Sequence, residues 1–125
     1  MEHNMVYICS PLRAYSGCSL ERNIVLCKHY CQNVASDNFM PIAPHLLFPR
    51  FLDDDDADQR ELALQFCEQL LSKCSQVFVF DGNDGYRSSG MWREISYARN
   101  LGIPIVEIPS EHPYRDVILL QQKCI

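Results

Sequence analysis

The run Val77-Phe78-Val79-Phe80 constrains the fold more than any other stretch of this chain. Its β-prone apolar residues have no polar residue between them, so neither face of such a strand is left for water. A strand covered on both sides belongs at the centre of a sheet, and sheets of that kind are usually parallel, with helices packed above and below. The neighbouring segments supply those helices. Leu20 to about Val34 carries Ile24, Cys27, Cys31 and Val34 at helical spacing, with Glu21, Arg22, Lys28 and Gln32 on other faces and Ser19 placed as a cap. About Ala57 to Lys73 carries Leu62, Ala63, Phe66, Cys67, Leu70 and Leu71 as a core-facing stripe that continues to Cys74. Ser89 to Leu101 stops at Gly102, a residue suited to the left-handed position just past a helix.

Shorter strands alternate with these helices. Val6 to Cys9 is stopped by Ser10-Pro11. Phe39 to Ala43 ends at Pro44, and Pro41 inside it points to an edge position. Ile103 to Ile108 is expected to be another buried strand, and Pro113 to Lys123 a last helix. The resulting β-α-β-α-β-α-β-α order predicts right-handed crossovers. The expected fold is a single doubly wound α/β domain over 1–125. Its Rossmann-like or flavodoxin-like parallel sheet would have four or five strands, with helices on both faces. With 125 residues, 47% of them hydrophobic and 22% charged, the chain can bury a core without help from a disulfide or a metal.

A net charge of -5 and the lack of a basic run argue against binding to a nucleic-acid polymer or a membrane surface. One or two well-placed arginines would still suffice for a small phosphorylated ligand. No basic region followed by a long apolar stretch opens the chain, so a cytoplasmic location is expected. The seven cysteines are scattered. Cys27 and Cys31 bracket His29 in a way that suggests zinc, but a helix turns His29 away from the two thiols, and no second ligand pair follows. They are expected to be core thiols of a protein in a reducing compartment. Asp53-Asp54-Asp55-Asp56 suits the solvated start of a helix and lacks the glycine of a calcium loop. No metal and no organic cofactor are expected. Glycine-rich dinucleotide, Walker and nucleophile-elbow motifs are missing.

In a parallel sheet the ligand crevice lies beyond the carboxyl ends of the strands. Here those ends lead into Ser10-Pro11-Leu12-Arg13, Pro44-His45, Asp81-Gly82-Asn83-Asp84 and Pro109-Ser110, and the first three should converge. In Arg87-Ser88-Ser89-Gly90-Met91-Trp92-Arg93-Glu94-Ile95 the serines cap a helix and Gly90 lets a ligand approach free amides. On chemistry alone Glu94 suits an exposed helix position as well as a cleft-facing carboxylate. Asp81 and Asp84 suit a turn. His45 suits either a substrate contact or a loop cap. Trp92 and Tyr86 suit stacking on a base or packing.

The frame Val6-Tyr7-Ile8-x-Ser10-Pro11-Leu12, Pro41-Ile42-Ala43-Pro44-His45, Phe51-Leu52-Asp53-Asp54, Ser88-x-Gly90-Met91-x-x-Glu94-Ile95 and Ala98-x-x-x-Gly102-Ile103-Pro104 runs in order through nearly the whole chain. It resembles the nucleoside 2-deoxyribosyltransferase-like superfamily, in particular its small bacterial and phage members. The resemblance implies cleavage or exchange of the N-glycosidic bond of a (deoxy)nucleoside or its 5′-monophosphate. By that resemblance Glu94 would be the nucleophile at C1′, Tyr7 its orienting partner, and Asp81 or Asp84 the acid for the departing base. Ser10, Pro11, Arg13, His45, Ser88, Ser89, Gly90 and Met91 would bind substrate. It also implies a homodimer or higher homo-oligomer, since relatives complete each site from a neighbouring subunit. Deoxyribosyltransferases proper carry an aspartate where this chain has Ser88; a serine is closer to the nucleotide hydrolase branch, where phosphate contacts are expected. Two rivals share the fold: a non-catalytic nucleotide-binding module, and a hydrolase of another ribosyl bond such as that in NAD.

Overall fold

The computed structural model describes residues 2–108. In it the apolar run lies inside the sheet, as strand β3 (Gln76–Phe80) between β1 (Asn4–Cys9) and β4 (Ile105–Ile108). With β2 (Phe39–Ile42) the order is β2-β1-β3-β4, and every adjacent pair is parallel. Successive side chains of a strand point to opposite faces, so one run serves two cores. Phe78 and Phe80 join Val6, Ile8 and helix α1 (Leu20–Val34) on one side. Val77 and Val79 join Tyr7, Cys9 and helices α2 (Ala57–Leu71) and α3 (Ser89–Leu101) on the other. The result is three layers, with helices on both faces of the sheet.

Strand order reverses between β1 and β3, and there the loops leaving the two strands part to opposite faces and open a crevice. Each helix that borders this edge is capped. Ser19 Oγ accepts from the Arg22 amide at 3.1 Å, Asp56 from the amides of Asp58 and Gln59 at 3.0 Å, and Ser88 Oγ from Met91 at 3.2 Å. Gly102 closes α3 with φ +71°, a backbone state that costs glycine little.

Several expectations change. Ile103 to Ile108 is no fully buried strand: β4 starts at Ile105 and flanks the described sheet, with Glu107 exposed and Ile108 alone buried. Leu62 is 40% exposed, so the stripe of α2 is narrower than its apolar residues suggest. On α1 the fully buried positions are Asn23, Cys27, Tyr30 and Val34; Cys31 packs partly buried against the same core, and Ile24 is only partly buried. After β2, Pro44–Leu46 and Phe48–Arg50 form two single turns of 3-10 helix. Their apolar side chains divide between the cores: Leu46 packs towards α1, and Phe48 packs against Phe66 of α2, 5.4 Å between ring centres. Pro41 does lie on an outer strand. The helix expected over Pro113 to Lys123 and the Pro109-Ser110 segment fall outside the described residues. Among the described residues no helix is long and apolar enough to cross a membrane.

Candidate active site

Tyr7 stands near the end of β1 on the face covered by α2 and α3, and Glu94 sits in the second turn of α3 directly over it. The carboxyl group is 1% exposed, a burial that is costly unless partners replace the lost water. Tyr7 provides one partner: its hydroxyl donates to Glu94 Oε2. Glu94 Oε1 faces His45 Nε2 at 3.6 Å, too far for a hydrogen bond but close for a charge contact. His45 is placed there by the 3-10 turn that Pro44 starts after β2. Ser10, the first residue past β1, adds a third buried polar group.

Glu94 Oε1, His45 Nε2 and Ser10 Oγ are all buried without a hydrogen-bond partner among the described residues. Native proteins leave few such atoms, and each costs about 1–3 kcal/mol. All three residues line one cavity of about 80 Å³, beside Arg13, Ser88 and Met91. A polar ligand entering it would complete all three.

The electrostatics follow from burial and from Glu94. Desolvation lifts the Tyr7 phenol well above its ordinary value, and the nearby carboxylate adds to the shift. For His45, desolvation pulls downwards but the carboxylate outweighs it, so its pKa is raised. Burial pushes the Cys9 thiol up strongly and Cys67 to about 12, so these two are poor nucleophiles, whereas hydrogen bonding from Cys31, aided by Ser10, outweighs burial and brings Cys27 down to about 7. The cavity wall thus offers a buried carboxylate with Oε2 fixed by Tyr7 and Oε1 unpartnered, next to an imidazole able to hold or release a proton.

The other expected site residues divide into two groups. Ser88, Gly90, Met91 and Arg13 line the cavity with Glu94. Arg13 is already occupied, at 3.1 Å from Asp54 and 3.3 Å from Asp55. Ser89 is exposed at the start of α3, its hydroxyl 3.5 Å from the Arg60 guanidinium. The structure does not bring Pro11, Asp81 or Asp84 to Glu94. Pro11 and Asp81 face a separate cavity beside α1. Arg87 folds back onto Asp81 in a two-pronged ion pair at 2.5 and 3.4 Å, and also reaches Glu107 and the Trp92 ring. Asp84 is carried to the surface by the turn after β3, where it takes φ +57°. Tyr86 stacks on Tyr15 at 3.9 Å. The zinc alternative finds no geometry in α1, where Cys27 points inward and His29 is exposed.

Two contributors escaped the sequence reading. Arg60 lines the cavity from α2, in register with Leu64 and Cys67 at i+4 and i+7, and that spacing was the available signal. Asn23, 2% exposed, donates from Nδ2 to the carbonyls of Leu12 and Arg13 and so holds the loop that presents Ser10.

Residues 4–108 match the family described as "Domain of unknown function (DUF7768)". The chain belongs to that family. A search of the curated proteins returned no match. Among solved structures, this DUF7768 domain is similar to a 2-deoxyribosyltransferase from the psychrotolerant bacterium Bacillus psychrosaccharolyticus. The TM-score is 0.61 at 13% identity, over 84% of this chain and 72% of that one. At that identity the likeness establishes a shared fold: the DUF7768 chain has the α/β architecture of a deoxyribosyltransferase.

Proposed function

We propose that this protein cleaves or exchanges the N-glycosidic bond of a (deoxy)nucleoside or nucleoside 5′-monophosphate, with Glu94 as nucleophile. The observation that carries this reading is the pair of roles given to one buried carboxylate at a cavity wall: Oε2 takes the Tyr7 hydroxyl, while Oε1 is unpartnered. The fold shared with a deoxyribosyltransferase adds support.

Glu94 Oε1 attacks C1′ as the bond from C1′ to the base nitrogen breaks. Asp81 is held by Arg87, so the proton for the departing base is assigned to His45 Nε2. The glycosyl ester removes the negative charge that had favoured the imidazolium, and the proton leaves more readily as the base needs it. In the second half, neutral His45 accepts a proton from water, whose oxygen displaces Glu94 from C1′; a second base in place of water gives exchange. Ser10, Ser88 and Gly90 surround the sugar.

The test incubates the protein with ribo- and deoxyribonucleosides, their 5′-monophosphates and NAD, following free base by chromatography beside Glu94→Gln. The expected result is base release that falls by at least about 10³-fold in the variant, while binding is retained. Release from NAD alone would move the activity to another ribosyl bond. No release from any compound, with one nucleotide raising the melting temperature, would leave a binding module instead.

A further inference from the structure

We infer that Cys27 and Cys31 form a reactive thiol pair that a hydroperoxide closes to a disulfide, a modification site in α1 that is independent of the glycosidic reading above. Cys27 is 2% exposed, while Cys31 packs against the same core and stays partly open to solvent.

The two residues lie one helical turn apart on one face of α1, a spacing that sets Cβ atoms about 5–6 Å from each other. A disulfide needs about 3.5–4.5 Å, so closure asks the turn to tighten by roughly 1–2 Å. Position favours that movement. Cys31 opens the last turn of α1, where its carbonyl accepts the amide of the capping residue Ala35, and helix ends yield more readily than helix middles. A bond closed against that resistance is a strained one, which an added thiol reopens readily.

The surroundings divide the labour between the two sulfurs. The Cys31 thiol donates to Cys27, and with Ser10 and His45 nearby this outweighs burial and the Glu94 charge, so that Cys27 is partly thiolate at neutral pH. The same contact and burial push Cys31 up, which keeps it a thiol until Cys27 has reacted. Burial instead lifts Cys9, Cys67 and Cys74. Ser10 and His45 also line the cavity of about 80 Å³, so Cys27 lies just behind its wall, and hydrogen peroxide is small enough to enter there. In the first step the Cys27 sulfur takes one peroxide oxygen as the O–O bond breaks, giving a sulfenic acid and water. In the second the Cys31 sulfur attacks that of Cys27, and the hydroxyl leaves as water with the Cys31 proton. The two thiols lose two electrons and two protons in all, and the peroxide is reduced to two waters.

The experiment treats the reduced, native protein with hydrogen peroxide, blocks the remaining thiols with iodoacetamide and maps tryptic peptides by mass spectrometry. Lys28 separates the two cysteines, so after trypsin only the disulfide holds their peptides together. Wild type, Cys27→Ser and Cys31→Ser are compared, with and without dimedone to trap sulfenic acid. The expected result is a link between Cys27 and Cys31 that dithiothreitol reverses, and a first thiol loss at least about 10-fold slower in Cys27→Ser. In Cys31→Ser a dimedone adduct should accumulate on Cys27. Mapping of the wild type decides the proposal even if a variant does not fold. No link between the two peptides, or oxidation that reaches the other cysteines first, overturns it. So does a folded Cys27→Ser variant that loses its first thiol as fast as the wild type. No nucleoside enters the measurement, so failure here leaves the glycosidic reading standing.

Discussion

Glu94 shows how far a single residue can be judged from its neighbours in the chain. Its spacing from Ser88 and Gly90 put it one turn inside a helix near the cleft, but that spacing fits an exposed position equally well. Its 1% exposure depends on Tyr7, on a strand 87 positions away in sequence. The pairing of Asp81 was hidden for a matching reason: Arg87 was legible only as a neighbouring letter, not as a side chain folding back on it. Gly90 has room for a methyl group, and alanine favours a helix by up to ~1 kcal/mol. Gly90→Ala should therefore raise the urea midpoint while weakening nucleotide binding, and a titration in the Glu94→Gln background would record the second effect. His45 gives the pH dependence. Its raised folded pKa means that the pairing with Glu94 contributes stability fully below about pH 6.5 and loses it as pH rises through the raised value. Melting temperatures read across pH 6 to 9 should show the wild type falling relative to His45→Asn.

Among the elements, α1 and α3 could be read almost to the residue, because their ends carry chemical signals: Ser19 and Ser88 as caps, Gly102 as the left-handed stop. Faces were harder. An apolar residue such as Leu62 does not have to be buried, and a polar one such as Asn23 can be, if carbonyls wait for it. The β1–α1 connection is held in just this way, with the Cys18 thiol also donating to Asn23 Oδ1 at 3.0 Å. Asn23→Ala strands the Leu12 and Arg13 carbonyls and loosens the segment beside Ser10. It should cost about 1–3 kcal/mol in urea denaturation and weaken nucleotide binding in the Glu94→Gln background. The turns between Pro44 and Arg50 were invisible as structure, since their residues face two different cores and follow no single period.

For the whole molecule, the alternation of apolar strands with amphipathic helices dictated the layered α/β plan, and four uninterrupted apolar residues located the middle of the sheet. Which loops would share a cavity was less legible. The Ser10 and His45 segments meet at Glu94, while the segment after β3 turns to the other side of the sheet edge. The bond from Tyr7 to Glu94 joins the first strand of the sheet to the last described helix, so no contiguous fragment shorter than that span contains both members of the pair. Under the proposed reading, catalytic competence would therefore arrive only with completion of the fold: a chain with α3 undocked would carry every letter of the motif and none of the proposed chemistry.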